Sequence, residues 1–411
     1  MNVRVVHASG LVVGDGPSLR DGAVVLDDAG TVLDVGRASD VLPRSTGAEI
    51  TKLEGVVFPG LVNAHTHLEL SALAGSVPEG LGFAGWATAM LSARRATPED
   101  AMLRATREAV ETLVRLATVA VGEVTNGLSS AGPLVAAGLS GAIFHEVFGA
   151  VRDVALAKVE ALEGEARAAG LLDGGPLVWS PSAHTLHTTH PDAVRRLVAH
   201  ARARGARTSL HLAEHAAERQ VLTEGRGPML DFFRGLGVPE GAFAWPGLGP
   251  IAYARSLFGL GPDVLLVHLT DATPEELDRV AEDGAKVALC PRSNLFIEGR
   301  LPDVKCMISR GILPALGTDS LASSPSLDVL EEASALAEAF ALPADLVVAM
   351  ATHHGALALG LPAHGRLARG ARPGLFGVMT EVCGSASEAL LHARTLPRKR
   401  LDSRNEGRGE R

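Results

Sequence analysis

The residues of this sequence with the clearest potential for chemistry are two histidines one position apart, His65 and His67, which follow an apolar run. Alternate residues of a β-strand point to the same side, so both imidazoles can face one ion. Three further apolar runs end on a residue that is able to bind a metal, namely His211, His268 and Asp319. In a parallel barrel the carboxyl ends of all strands meet at one face. The pattern therefore predicts a single metal site at the ends of several strands.

The predicted metal ligands are His65, His67, His211 and Asp319, a set of nitrogen and oxygen donors that leaves one position for water. A divalent metal lowers the pKa of such a water to about 7, so hydroxide is the expected nucleophile. Asp319 is also predicted to accept the proton of that water. The alternative for each residue taken singly is a polar strand end that faces solvent.

Two more residues are predicted to act in catalysis, Glu214 and His268. Glu214 lies three positions after His211, where the chain leaves the strand, and is the predicted general acid and base. His268 is expected to hydrogen-bond the water and polarise it. The structural alternatives are a first-turn helix carboxylate stabilised by the helix dipole for Glu214, and a buried histidine bonded to the backbone for His268.

The elements that must position these residues are short Val- and Leu-rich runs, which alternate with Ala-, Arg- and Glu-rich helical stretches. This alternation is typical of βα repeats around a parallel sheet. Eight such runs suit a closed (β/α)8 barrel of the TIM type. The candidate strands are residues 56–63, 118–123, 141–148, 177–180, 208–211, 265–268, 287–290 and 313–317.

A small β module is expected to flank the barrel. Residues 1–57 form its N-terminal part, because short strands alternate there with turns such as the hairpin signal at 28–30. The barrel follows at 58–362, and residues 363–396 are predicted to rejoin the first segment in a small β-sandwich. Residues 397–411 form a polar tail that is expected to be disordered. The predicted fold class is therefore α/β.

The composition limits the partners and the location. With 46% hydrophobic residues among 411, the chain can bury a large core. A net charge of −9 offers no basic footprint for nucleic acid, so the expected partner is a small molecule. Three cysteines without a Cys-x-x-Cys pair favour a reducing cytoplasm. The sequence has neither a signal-peptide core nor an apolar stretch near the ~20 residues of a membrane span, so a soluble protein without a membrane partner is expected.

Four sequence motifs resemble those of the amidohydrolase superfamily. They are PGLVNAHTH at 59–67, HLAE at 211–214, LCPRSN at 289–294 and LGTDS at 316–320. The chain looks most like the branch that contains cytosine, guanine and S-adenosylhomocysteine deaminases and triazine chlorohydrolases. The resemblance implies one divalent ion per subunit, zinc in preference to iron, and hydrolysis of an amino or halide substituent on an aromatic nitrogen ring. Barrels of this kind often form dimers, so a homodimer is one of the assembly states that the resemblance allows.

The resemblance also implies a reaction. Hydroxide attacks the ring carbon that bears the amine, Glu214 protonates the adjacent ring nitrogen, and ammonia leaves. Relatives with two metal ions bridge them by a carboxylated lysine at the end of the fourth barrel strand. None of the five lysines of this chain lies in the candidate strand 177–180, so a single ion is predicted.

A narrower resemblance links the chain to the aminodeoxyfutalosine deaminases of an alternative menaquinone route. It rests on HLELS at 67–71, Trp86, the Arg94-Arg95 pair and TDSLAS at 318–323. Trp86 is expected on a loop over the substrate pocket. Arg95 stands near the position where S-adenosylhomocysteine deaminases carry a glutamate, and it suits a substrate carboxylate through bidentate hydrogen bonds. The alternative for Arg95 is a solvated arginine on a helix face.

His184 is the third predicted substrate-binding residue. Relatives often read Pro-His-x-x-Tyr at this point, whereas this chain reads SAHTLH at 182–187. His184 is therefore expected to fill the position of the histidine, and His187 replaces the tyrosine.

Several alternative functions stay open. The same metal ligands would serve deamination of S-adenosylhomocysteine, adenosine or guanine, and they would also serve dechlorination of a triazine. The ligands alone do not select the leaving group. A catalytically silent barrel that binds a ligand is a further alternative. A cytidine-deaminase zinc site is excluded because no Cys-x-x-Cys follows the HLE triplet at 67–69. A His-Glu-x-x-His metallopeptidase is excluded because residues 211–215 read HLAEH.

Overall fold

The computed structural model describes residues 3–239, 241–242 and 245–402. The strands are β1 (Arg4–Leu11), β2 (Leu19–Leu26), β3 (Val32–Arg37), β4 (Glu49–Pro59), β5 (Leu61–Thr66), β6 (Thr118–Thr125), β7 (Ser140–Val147), β8 (Leu177–Ala183), β9 (Thr208–Leu212), β10 (Val264–His268), β11 (Lys286–Leu289), β12 (Ala315–Leu316), β13 (Leu375–Met379) and β14 (Lys399–Arg400). The α-helices are α1 (Ala38–Val41), α2 (Gly82–Ala96), α3 (Glu99–Arg115), α4 (Ala131–Ala136), α5 (Arg152–Ala168), α6 (Pro191–Ala203), α7 (Ala216–Glu224), α8 (Pro228–Gly235), α9 (Pro250–Leu257), α10 (Pro274–Asp283), α11 (Pro291–Glu298), α12 (Val304–Ser309), α13 (Val329–Phe340), α14 (Ala344–Met350), α15 (His353–Leu359) and α16 (Ala386–His392). Two 3-10 helices span Leu42–Arg44 and Leu68–Leu73.

Two parallel four-stranded sheets form the α/β part of the fold, in the orders β5-β6-β7-β8 and β9-β10-β11-β12. Hydrogen bonds connect them at both edges. The amide of His211 in β9 donates to the carbonyl of His184, just after β8, at 3.1 Å. The amide of Thr318, just after β12, donates to the carbonyl of His65 in β5 at 3.0 Å. The carboxyl ends of strands from both sheets therefore lie side by side.

The strands of these sheets are buried on both faces, which explains their continuous Val and Leu runs. Every residue of β5, β9 and β10 is buried. Helices cover the sheets with one apolar side, as in α3, where buried Met102, Ala109 and Leu113 recur at helical spacing. Each fully buried Leu or Val side chain contributes about 1.5–3 kcal/mol. No helix of the described residues combines the length and the apolar character that a membrane crossing requires.

The terminal segments meet in one six-stranded mixed sheet, in the order β14-β13-β4-β1-β2-β3. Within the described residues this sheet replaces the expected two-sheet sandwich. Helix α1 covers one face of this sheet, where Val5 and Val25 pack with Ala38 and Val41. A helix therefore occupies the face on which a second sheet of a sandwich would pack. The sheet also includes β14, which lies in the segment expected to be a disordered tail. Residues 403–411 of that segment lie outside the described part.

The candidate strand at 56–63 is two strands in the structure, divided at Gly60. The amide of Gly60 donates to the carbonyls of Pro373 and Gly374, both at 3.1 Å. A Cβ atom at Gly60 would lie 2.3 Å from Val119 Cγ1, so only glycine permits this close approach. The chain thereby passes from β4 in the terminal sheet directly into β5, which carries the first predicted ligands.

Candidate active site

The four predicted metal ligands converge at the carboxyl ends of the strands. His65 lies in β5, His67 directly after it, His211 in β9 and Asp319 just after β12. The Nε2 atoms of His67 and His211 are 3.3 Å apart. Asp319 Oδ1 lies 3.9 Å from His65 Nε2 and 3.7 Å from His67 Nε2. These distances bring three imidazoles and a carboxylate around one point.

The chemistry of this cluster fits a divalent cation. His65 is completely buried, and neither of its ring nitrogens has a hydrogen-bond partner among the described residues. Burial, followed by the neighbouring histidines, lowers the pKa of His65 well below its ordinary value, so the ring is neutral. Buried polar atoms normally have a partner. Lone pairs of neutral imidazoles that meet a carboxylate are the donor set that a zinc-type ion takes.

Asp319 is held in place by two serine hydroxyls. Ser293 Oγ donates to Asp319 Oδ2 at 2.6 Å, and Ser323 Oγ donates to the same oxygen at 3.2 Å. The other oxygen, Oδ1, is thereby free to face the histidines. The sequence motifs contain both serines, but no signal in the sequence assigned them this role.

We expect Ser293→Ala to weaken metal binding by about 10–100-fold, because loss of a group that orients a metal ligand has this effect. Metal titration of the apoprotein measures the change. Ser309→Ala is a matched control, since Ser309 is exposed in α12 and donates to the carbonyl of Cys306, the one hydrogen bond of its side chain among the described residues. Equal metal affinity of Ser293→Ala and the unmodified chain would contradict the role of Ser293.

Glu214 and His268 lie together beside the ligand cluster. His268 Nε2 is 3.6 Å from Glu214 Oε1. Burial, followed by the charges of Asp319, Glu218 and Glu298, raises the pKa of Glu214 well above its ordinary value. The raised pKa favours the protonated form of Glu214, which can donate a proton. This pairing agrees with the predicted positions of both residues at adjacent strand ends.

His268 is neutral, and its proton is placed by Asn294. Burial lowers the pKa of His268 to about 4. The amide nitrogen of Asn294 lies 3.1 Å from His268 Nδ1 and donates to it, so Nδ1 is an acceptor and the ring proton is on Nε2. This Nε2 atom is the ring nitrogen that lies 3.6 Å from Glu214 Oε1. Asn294 belongs to the LCPRSN motif, but no signal in the sequence assigned it this role.

Backbone strain is concentrated at the same strand ends. Ala213, His268, Leu269 and Asp319 have φ values of 49°, 77°, 51° and 56°, in the left-handed region that non-glycine residues rarely adopt. Each such residue costs about 1–3 kcal/mol and persists only where the surroundings hold it. The strained turns direct the side chains of His268 and Asp319 and the following Glu214 toward one place.

A second group of metal-binding types, Glu146, His184 and His211, shares a histidine with the ligand cluster. His211 Nδ1 lies 2.9 Å from the carbonyl oxygen of His184 and donates to it. This nitrogen is therefore protonated and not available to a second ion. The rings of His184 and His211 are 5.1 Å apart, so His184 lies beside the cluster, as a substrate-binding histidine would.

The structure places Trp86 in helix α2 and not on the expected loop. The Ala-rich stretch Gly82–Ala96 favours a helix. Trp86 is buried there, and its Nε1 donates at 3.2 Å to the carbonyl of Ala322, three residues after Asp319. Trp86 thus packs against the loop that follows Asp319.

Arg95 lies near the end of the same helix and is exposed. It lines a surface groove with residues of α8, including Asp231 and Phe232. None of the clustered histidines or carboxylates lines this groove. The structure therefore does not bring Arg95 to the cluster, and its role in binding a carboxylate stays a prediction.

The chain resembles known proteins over most of its length. Residues 56–387 match the model of the amidohydrolase family. The aminodeoxyfutalosine deaminase of Deinococcus radiodurans is 30% identical over 336 residues, which cover 80% of this chain and 79% of that protein. The 5-methylthioadenosine/S-adenosylhomocysteine deaminase of Halobacterium salinarum is 30% identical over 388 residues, which cover 90% and 82%.

A solved structure has the same fold. It is the Helicobacter pylori aminofutalosine deaminase in complex with methylthio-coformycin, with a TM-score of 0.85, 23% identity and coverage of 97% of both chains. The family match includes every residue of the ligand cluster together with Glu214 and His268. On this evidence the chain belongs to the amidohydrolase family.

Proposed function

We propose that this chain is a metal-dependent hydrolytic deaminase that converts an amino-substituted purine nucleoside to the oxo product and ammonia. The observation that carries the proposal is the buried carboxyl of Glu214, 3.6 Å from His268 and beside a buried cluster of metal-binding side chains. The names of the relatives support adenosine-like substrates. 6-Amino-6-deoxyfutalosine is our first candidate, and S-adenosylhomocysteine or adenosine is the second.

The proposed cofactor is one divalent ion, held by His65, His67, His211 and Asp319. Three imidazoles and one carboxylate suit zinc, with iron as the alternative. When bound, such an ion lowers the pKa of a coordinated water to about 7. The donation from His211 Nδ1 to the carbonyl of His184 supports a single ion.

The side chains of this site supply the proton transfers. His268 Nε2–H orients the attacking water, and Asp319 accepts its proton as the oxygen bonds to the ring carbon that carries the amine. Glu214 gives its proton to the adjacent ring nitrogen. Asp319 then passes a proton to the amine, the carbon–nitrogen bond breaks, and ammonia leaves. The hydroxyl proton of the product returns to Glu214, so the site ends in its starting state.

We further propose a closed (β/α)8 barrel at 58–362, flanked by a module of 1–57 and 363–396 whose sheet also includes β14. The hydrogen bonds at both edges of the two parallel sheets support closure. Free cysteines at 290, 306 and 383 fit a cytoplasmic location.

The test is release of ammonia from a panel of aminopurine nucleosides, with guanine and a chlorotriazine included, before and after chelation. Turnover of one or more aminopurine nucleosides that chelation removes is the expected result. Release of chloride alone would favour the dechlorinase, and bound metal without any turnover would favour a ligand-binding barrel. Either outcome would refute the proposal.

Arg95→Ala is expected to raise KM for a nucleoside with a carboxylate more than for adenosine, because the substrate carboxylate would lose its bidentate partner. Arg94→Ala is the matched control, since Arg94 is exposed on the same helix. Steady-state kinetics with both substrates measure the difference. Equal changes in KM for the two substrates would remove Arg95 from the site.

A further inference from the structure

The turn that carries Glu214 is bonded to a buried carboxylate that the proposed reaction does not use. This carboxylate belongs to Glu218, in the first turn of α7, which is 1% exposed. Glu218 Oε1 accepts the N–H of Ala213 at 3.1 Å, and Oε2 accepts the N–H of Glu214 at 2.8 Å. Both oxygens thus hold the backbone that leads from β9 to the general acid.

The start of α7 shows that this contact differs from ordinary helix capping. His215 is the N-cap residue, and its Nδ1 accepts the N–H of Glu218 at 3.0 Å. In a capping box the glutamate would accept the N–H of the N-cap residue in return, as Glu276 does for Thr273 in α10. Glu218 reaches past His215 to the two residues before it. Its carboxylate therefore stabilises the turn and not only the helix.

This turn needs support because Ala213 is strained. Its φ of 49° is a conformation that residues with a Cβ atom adopt at a cost. The carbonyl of Ala213 is also bonded, since it accepts the N–H of Asp271 at 2.7 Å. With both sides of Ala213 held, the following residue directs its carboxyl toward His268, 3.6 Å away.

The charge of Glu218 acts in the same direction as its geometry. Burial raises the pKa of Glu218 to about 7, while the two backbone N–H groups favour its ionised form. After burial and Asp319, the charge of Glu218 contributes to the raised pKa of Glu214. An ionised Glu218 therefore helps to keep Glu214 protonated.

We propose that Glu218 is a positioning residue for Glu214, because its carboxylate fixes the strained turn at Ala213 and so holds the general acid beside His268. The inference rests on the proposed function for the role of Glu214. It goes further by assigning a task to a residue that touches neither the ligand cluster nor the reacting atoms.

Glu218→Gln tests the inference by kinetics. Glutamine has a single acceptor oxygen, so it can bond only one of the two amides, and its NH2 group faces the other donor. We expect kcat to fall by about 10²-fold, as small displacements of catalytic groups do, while KM and metal content stay unchanged. In a Glu214→Gln background, Glu218→Gln is expected to cause no further loss. Losses that multiply in the double variant would overturn the inference.

Amide hydrogen exchange provides a readout that needs no substrate. In Glu218→Gln the amides of Ala213 and Glu214 are expected to exchange faster than in the unmodified chain. Unchanged exchange would overturn the inference. If exchange accelerates in Glu218→Gln but the unmodified chain deaminates no nucleoside, the proposed function is wrong. The conclusion that Glu218 fixes the turn would still be supported.

Two further variants complete the test. Glu218→Asp keeps the charge, but its side chain is one methylene shorter. Its kcat is therefore expected to fall almost as far as that of Glu218→Gln, and full activity would overturn the inference. Glu388→Gln is the matched control, because Glu388 accepts the N–H of Ser385 at 2.8 Å in the capping box of α16, in the terminal segment. It is expected to keep the full kcat and the exchange rates at 213–214.

Discussion

Glu214→Gln is expected to lower kcat by about 10²–10⁴-fold, the range that a positioned general acid or base contributes. The amide has nearly the shape of the carboxyl but cannot give a proton to the ring nitrogen and take it back. Because the four proposed ligands are unchanged, metal content and KM are expected to stay close to those of the unmodified chain. Steady-state kinetics together with metal analysis measure these quantities.

The pH dependence gives this prediction a second check. The pKa of Glu214 is raised, chiefly by burial, so the active acid form persists to higher pH than in an ordinary glutamate and is lost as the pH rises further. Glu214→Gln is expected to abolish this decline at high pH. Glu282→Gln, on the exposed side of α10, is the matched control. A variant at Glu214 with unchanged kcat would exclude it as the general acid.

Removal of the metal is expected to abolish turnover, and one equivalent of zinc per chain is expected to restore it. Loss of a group that orients a metal ligand weakens metal binding by ~10–100-fold. His67→Ala should weaken it by more, because a donor atom itself is lost. Elemental analysis and metal titration measure both effects.

The control for His67→Ala is His392→Ala, at the exposed end of α16. It is expected to retain the metal and the activity. Two ions per chain would contradict the single site that the bond from His211 Nδ1 to the carbonyl of His184 indicates. Full activity of the metal-free chain would contradict the mechanism as a whole.

The strand-end pattern in the sequence was sufficient to predict which side chains meet. His65, His211 and His268 each end an apolar run, and parallel strands bring their carboxyl ends to one edge whatever the loop lengths between them. The structure brings these residues together with His67 and Asp319 for this reason. The periodicity of a strand determines the side to which its residues point, so local sequence carries this information.

Other features depended on contacts between distant segments. The division of the first candidate strand at Gly60 follows from its approach to Val119 and Pro373, which no local pattern reveals. The single terminal sheet depends on α1 covering one face, and the position of Trp86 depends on its bond to the carbonyl of Ala322.

The amino-acid sequence by itself determined the donor atoms, their order along the chain and the strand ends that present them, because these follow from residue type and from the two-residue period of a strand. Only the tertiary structure decided which groups hold the predicted ligands and catalytic side chains in place. Ser293 on Asp319, Asn294 on His268 and Glu218 on the turn of Glu214 are hydrogen bonds set by three-dimensional proximity and by strained backbone. Whether such contacts form depends on differences in position of a few tenths of an ångström, and the spacing of residues along the sequence does not encode these positions.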